Sequence, residues 1–266
     1  MRSPIRWYGG KSHLLPRILS LLPAGGKPYC EPFMGGASVF FARNPAPIEV
    51  LNDLDNHLVN LFRCLQDPQT FARLQHILKY TLYARAEFER AITILDERNP
   101  DPVLRAWAYF VVLNQGMHGL PYPFTHTPGR WGRSFDHRNG IASSVASWNS
   151  AIDRLQQCHQ RLRHAQIDCR DALECIAYWD NEDAVFYVDP PYAPTQRRST
   201  NVYAHDPDID FHARLVETLI ACRGAVVLSC YHDPVYEPLK QAGWQRIDVE
   251  TVCYTTIVKA DNGERR

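Results

Sequence analysis

Apolar and polar positions change rhythm along the chain. Residues 27–33 form a short extended run, and Gly35-Gly36 then leads into a helical stretch over 37–42. Residues 48–51 read as a strand ending at Asn52-Asp53. Leu54, Leu58, Leu61, Phe62 and Leu65 follow at helical spacing. This alternation predicts a parallel sheet with helices on its faces. It returns late in the chain, with a strand at 167–170, a helix at 172–179 and a continuous apolar run at 184–188 that suits a buried central strand. A helix at 211–222, a strand at 225–229 and a helix at 235–242 come next. Two β-rich runs, 244–249 and 252–259, predict a closing antiparallel pair, and 261–266 a frayed tail. The texture between these parts differs. Residues 71–96 and 102–113 predict helices, whereas 116–140 has no sustained period and predicts a long ordered loop. The pattern divides the chain into an α/β domain, 1–65 and 165–266, and a mainly helical inserted subdomain, 66–164.

Composition changes this picture little. Of 266 residues, 45% are hydrophobic and 22% charged, which suits a folded domain with a sizeable core. The 29 basic residues balance 29 acidic ones, so any contact with phosphates has to come from a local patch. The eight cysteines include no C-x-x-C pair, which argues against a zinc site and predicts reduced, mostly buried thiols. No secretory segment opens the chain and no apolar run reaches membrane-spanning length, which predicts a cytoplasmic protein.

The residues with the most chemical content are Asp189-Pro190-Pro191-Tyr192, at the end of the apolar 184–188 run. Ligands of open α/β sheets bind beyond the carboxyl ends of the strands. Two prolines rigidify the backbone and remove donors, leaving carbonyls and one carboxylate as acceptors. Such a cluster suits a substrate that donates hydrogen bonds, such as an exocyclic –NH₂, and Tyr192 offers a flat face to a planar base. Accepting both N–H bonds, at Asp189 and at the Pro190 carbonyl, would localise a lone pair that the ring otherwise delocalises. That nitrogen could then attack a methyl sulfonium in line. The competing reading of the loop, taken alone, is a tight turn ending a strand. Glu31-Pro32-Phe33-Met34-Gly35-Gly36-Ala37-Ser38 forms a strand-to-helix turn whose glycines would let a ligand approach the backbone. Asp53 ends the next strand, where an acidic residue holds ribose hydroxyls or caps a helix. Arg6-Trp7-Tyr8-Gly9-Gly10-Lys11-Ser12 lacks the spacing of a phosphate loop, which argues against an ATPase.

In this order the segments resemble those of the Dam-type (alpha-group) DNA adenine-N6 methyltransferases. W-x-G-G-K falls at Trp7 to Lys11, E-P-F-x-G-G-x-S at Glu31 to Ser38, N-D at Asn52-Asp53 and D-P-P-Y at Asp189 to Tyr192. The resemblance implies a Rossmann-like S-adenosylmethionine-dependent methyltransferase sheet with a mainly helical inserted DNA-recognition subdomain. It implies S-adenosyl-L-methionine as cofactor, S-adenosyl-L-homocysteine as product, and double-stranded DNA as substrate in a bacterial or phage-infected cell. A partner restriction endonuclease would accompany a restriction-modification role. Residue by residue, Trp7, Tyr8, Gly9, Gly10 and Lys11 would enclose the methionine end of the cofactor. Glu31, Phe33, Gly35, Gly36 and Ser38 would line its methionine and sugar, and Asp53 would hold the ribose. Asp171 would take the adenine amine, a position that a helix cap explains equally well. Asp189 would serve both cofactor site and catalysis, with Pro190 and Tyr192. Tyr231 would add a second face near the target base, or pack as a core tyrosine.

Two departures stand out. Ala37 occupies a place where many relatives carry a third glycine, which predicts a firmer helix start. The insertion, with Asn114-Gln115-Gly116-Met117-His118 and Arg130-Trp131-Gly132-Arg133, differs from that of the GATC-recognising members, which predicts another recognition sequence. A base inside a duplex has to be flipped out to reach such a pocket. Asn114, Arg130, Arg133, Arg197, Arg198 and Tyr203 are the expected DNA contacts, since Arg and Asn serve phosphate and base reading. The alternatives are an N4-cytosine methyltransferase, a methyltransferase acting on protein glutamine, and a catalytically inactive DNA-binding module. The acidic Asp189 favours adenine by family habit, and the Arg-bearing insertion favours DNA.

Overall fold

The computed structural model describes residues 1–24, 28–119, 131–193 and 207–249. Seven strands lie among the described residues: β1 Tyr29–Glu31, β2 Glu49–Asn52, β3 His137–Arg138, β4 Ile141–Ala142, β5 Ala165–Asp168, β6 Val185–Val188 and β7 Ala225–Leu228. The short β3–β4 hairpin stands apart, and the other five form one parallel sheet in the order β5-β2-β1-β6-β7. The chain therefore runs outward from β1 through β2 to β5, then returns to lay β6 on the other side of β1. That reversal is the topological switch point, where open sheets bind ligands. Cys30 sits beside Val50 on one side and Phe186 on the other.

The three central strands are buried on both faces, as their continuous apolar runs require. Alternate residues feed opposite cores. Tyr29, Leu51, Val185 and Tyr187 join one cluster, while Cys30, Val50, Phe186 and Val188 join the other. On the first face lie α1 Leu15–Leu21, α2 Ser38–Ala42 and α3 Asn56–Gln66, continued by α4 Pro68–Tyr80, α5 Arg85–Asp96, α6 Pro102–Gln115, α7 Ser143–Asp153 and α8 Leu155–Leu162. The second face carries α9 Ala172–Trp179, α10 Ile209–Ala221 and α11 Glu237–Gln241. Asp55, Asp67, Asp101, Asp171 and Asp208 cap α3, α4, α6, α9 and α10, each accepting from backbone N–H groups of the first turn.

The helices of 66–164 have no core of their own. Phe71, Trp107, Phe110 and Trp148 share one cluster with Phe40, Leu58 and Phe62 of the sheet domain. Helix α6 is buried at every position from Ala106 to Gln115. The expected single helix over 71–96 is two, α4 and α5. Thr81 ends α4, where its hydroxyl donates to Ile77 O at 2.8 Å and its polar atoms receive the indole N–H groups of Trp107 and Trp148. Residues 244–249 form no strand with any described strand, and 252–259 lie outside the described residues. Ala37 does not firm up α2: it sits in the left-handed region at φ 49°, a conformation that disfavours a Cβ, and makes no side-chain cap. The described cysteines are free thiols, and four of them are buried.

A buried ion cluster clamps α8 and α2 to β2. Fully buried Glu49 accepts both guanidinium edges of Arg161, with Nη2 at 2.6 Å, and Arg43 Nη1 at 3.1 Å. Arg161 also donates to Phe40 O and lies 3.8 Å over the Phe40 ring. Taking away Arg161 leaves the buried Glu49 carboxylate with the longer contact from Arg43 in place of a bidentate partner. Arg161→Met is expected to lower unfolding free energy by about 3–5 kcal/mol, read from urea denaturation.

Candidate active site

The strand ends meet at the switch point. Glu31 closes β1 and Asp189 follows β6, so two neighbouring parallel strands deliver two carboxyl groups to one edge. Between them and the loops after β2 and β5 opens a cavity of about 370 Å³, within the ~300–1,000 Å³ usual for small-molecule sites. Trp7, Tyr8, Gly9, Gly10, Lys11, Glu31, Phe33, Gly35, Gly36, Ser38, Asp53, Asp171, Asp189, Pro190 and Tyr192 all line it. Five separate sequence segments thus converge on one space.

The loops are fixed by hydrogen bonds. Asn52, fully buried at the end of β2, donates to Pro32 O at 2.9 Å and to Arg170 O at 3.0 Å, and accepts from Arg170 N. It ties together the loops after β1, β2 and β5. Asp53 does not cap a helix; Asp55 does. The Asp53 carboxylate accepts from Gly35 N at 2.9 Å and from Asp55 N at 3.0 Å. Asp171 does cap α9, accepting from Leu173 N and Glu174 N, while also lining the cavity.

Gly35 and Gly36 turn out to serve the protein's own indole. A Cβ on Gly35, at φ +45°, would stand 2.6 Å from Trp7 Nε1, and one on Gly36 would stand 2.9 Å from Trp7 Cβ. The pair of glycines seats Trp7 against the turn.

Three carboxyl groups feel the burial. It pushes Glu31 up to about 8, against the opposing pull of the Tyr29 hydroxyl, which donates to Oε1 at 2.7 Å. Burial, followed by the charge of Asp55, pushes Asp53 up to about 6. Burial also raises Asp189, but Lys11 opposes it, with Nζ 2.6 Å from Oδ1. The same contact holds the Lys11 ammonium charged against its own burial. Lys11 also donates to Gly9 O and lies 5.1 Å over the Tyr192 ring, whose other neighbour is the Tyr231 ring at 4.4 Å. Among the described residues Asp189 Oδ2 receives the Tyr187 hydroxyl, at 3.4 Å.

A rigid acceptor loop beside a small-molecule cavity at a switch point is what comparison with known proteins bears on. The family model for D12 class N6 adenine-specific DNA methyltransferases matches residues 7–237. The chain belongs to that family. It is 27% identical over 259 residues to the DNA N-6-adenine-methyltransferase of Escherichia phage P1, covering 90% of this chain but 32% of that protein. The chain thus spans about a third of that relative's length. It is also 26% identical to the DNA adenine methylase of Vibrio cholerae serotype O1, over 88% of this chain and 83% of that protein. With the DNA adenine methylase of Salmonella typhi it shares 24% identity over all of this chain and 92% of that protein.

The residues expected to touch DNA fare differently. Asn114 is buried, with Oδ1 accepting from Arg6 N at 3.2 Å and Nδ2 donating to Phe110 O at 3.1 Å. Its amide is committed inside the protein, which corrects the expected base contact. Arg133 is exposed, its guanidinium 5.1 Å from the ring of Phe135. Arg130, Arg197, Arg198 and Tyr203 lie outside the described residues. Sequence reading missed Asn52, Tyr187 and Phe211. Tyr187 was legible, because the two-residue period of β6 puts it on the same side as Asp189. Phe211 reaches the cavity from α10 and packs edge-on against Phe33 at 6.2 Å. No local pattern marks it.

The raised Glu31 gives a pH prediction. Between about pH 4.5 and 8 the folded protein keeps a proton there that the unfolded chain has lost, so stability falls as pH rises through that window. Glu31→Gln, which mimics the protonated form, is expected to remove up to about 1.4 kcal/mol per pH unit of that fall, measured by urea denaturation from pH 5 to 8.

Proposed function

We propose that this chain transfers a methyl group from S-adenosylmethionine to the N6 amine of an adenine in double-stranded DNA. The observation that carries the reading is Asp189. Its carboxylate stands at the end of β6, on the wall of the cavity, and Lys11 engages one of its oxygens at 2.6 Å. The cavity's other groups fit the cofactor. Glu31 is a buried carboxyl hydrogen-bonded to the Tyr29 hydroxyl and to no cation among the described residues, and Asp53 offers a second carboxylate to hydroxyl donors. A ligand carrying an ammonium and a ribose meets both needs. When bound, S-adenosylmethionine supplies the electrophilic methyl group.

The chain's own residues then have distinct tasks. Lys11 keeps Asp189 ionised, so the carboxylate accepts hydrogen bonds instead of donating one. With Lys11 on Oδ1, Oδ2 is the oxygen left for an amine N–H, and the Pro190 carbonyl takes the second. Both bonds localise the nitrogen lone pair at the transition state, where charge develops. The Tyr192 ring offers a stacking face to a flipped base, offsetting part of the few kcal/mol that unstacking costs. Target reading falls to the 66–164 region. Exposed Arg133 is its described candidate, with Arg130 in the same loop and Arg197, Arg198 and Tyr203 after the catalytic loop.

The test is incubation with labelled S-adenosylmethionine and unmethylated duplex DNA, followed by identification of the modified base. N6-methyladenine is expected; 4-methylcytosine would overturn the adenine reading, and DNA binding without transfer would favour a non-catalytic module. Asp189→Ala is expected to cut transfer by about 100-fold or more while S-adenosylhomocysteine still binds.

A further inference from the structure

Asn114 has no route to a base, yet both its amide atoms are used. Its Oδ1 receives Arg6 N, a contact between residues 108 positions apart. A second bond joins the same two segments, from Tyr8 N to Gly119 O at 3.1 Å. Gly119 sits at φ +64°, and a Cβ there would come within 2.9 Å of the Arg6 carbonyl carbon. The backbones at 6–8 and 114–119 are therefore in direct contact, with two hydrogen bonds flanking Trp7.

Each segment leads to a different part of the molecule. From Trp7, a turn closed by Gly10 N on Trp7 O delivers Lys11 to Asp189. From Asn114, the chain leads through Gly116 to Gly119, and the described residues resume at Trp131. Fully buried Gln115 fastens these two ends: the side chain accepts from Ala84 N and Trp131 Nε1 and donates to Leu82 O, while the carbonyl accepts from Gly132 N at 2.7 Å. Gly116 and Trp131 are bridged as a short antiparallel pair. The Gly116 and Trp131 ends are pinned together, and the Asn114 joint ties them to the segment carrying Lys11.

We propose that Asn114 is a positioning residue, which sets Lys11 and Trp7 in register with the end of α6 and residues 116–119. Its loss shifts the Lys11 segment relative to Asp189 and lowers turnover without removing a DNA contact. That the joint also transmits target reading rests on the proposed DNA-recognition role of the insertion; the placement of Lys11 does not.

The experiment compares Asn114→Ala with the parent for kcat, DNA affinity and S-adenosylhomocysteine affinity. A misplacement near 1 Å predicts a kcat loss of about 10- to 100-fold, with both affinities nearly unchanged. Asn114→Asp, whose buried carboxyl keeps its proton, reproduces both bonds and is expected to recover most of that loss. An unchanged kcat would overturn the proposal, and so would a loss confined to DNA affinity, which would restore Asn114 as a DNA contact. If Asn114→Ala does not fold, Gly119→Ala loads the same joint from the other side; the same kcat loss supports the proposal and full activity overturns it. Arg133→Ala, run in parallel, separates the two readings. If it leaves DNA affinity unchanged, Arg133 is no DNA contact and the target-reading role loses its described support, while the Asn114 result stands or falls on its own kcat.

Discussion

Parallel pairing of β6 with β1 is the constraint from which the site follows. Val185 N reaches Pro28 O at 2.7 Å, and the ladder then carries both strands to the same edge. Because the chain reverses direction across the sheet at this pair, no crossover helix covers the gap between the strand ends. Glu31 and Asp189 are left facing one space. Apolar packing beneath them, from Tyr29, Phe186 and Val188, keeps that space low in dielectric and makes the charge there expensive.

The chain answers that expense unevenly. Asp189 has its cation, Lys11, supplied by a turn far away in sequence. Among the described residues Glu31 is answered by the Tyr29 hydroxyl, a backbone hydrogen bond from Phe40 and the more distant charge of Arg43, and Asp53 by backbone N–H groups beside its like-charged neighbour Asp55. A domain selected for stability alone would fill such positions with apolar residues. Unpaired carboxyls around a cavity instead store an affinity for cations and hydroxyls, which is how functional sites depart from the local rules of folding.

Much of this was legible beforehand. Helix α9 falls at 172–179 as its pattern predicts, and 184–188 is the central strand that its apolar continuity announces. The Glu31 to Ser38 and Asp189 to Tyr192 segments converge because the loops after parallel strands all open at one edge. What escaped was decided by tertiary contact. An asparagine at the end of a helix has the same donors and acceptors whether it reads a base or satisfies a backbone, so nothing local to Asn114 shows that its partner is Arg6 N. Gly35 and Gly36 signal a close approach but not its partner, which is Trp7. Ala37 holds a left-handed conformation that its own propensity argues against. The break between α4 and α5 contains neither glycine nor proline; two tryptophan N–H groups on Thr81 fix it instead.

In the proposed mechanism Lys11 is the counter-charge that keeps Asp189 an acceptor. Single-turnover methyl transfer by Lys11→Met, followed across pH with cofactor and DNA saturating, examines that pair most directly. Without the ammonium, burial acts on Asp189 against the Tyr187 hydroxyl and raises it further. The acid limb of the rate profile is therefore expected to move to higher pH, with a rate at pH 7 lower by about 100-fold or more. A Lys11→Met enzyme whose rate and acid limb both match the parent's would contradict it.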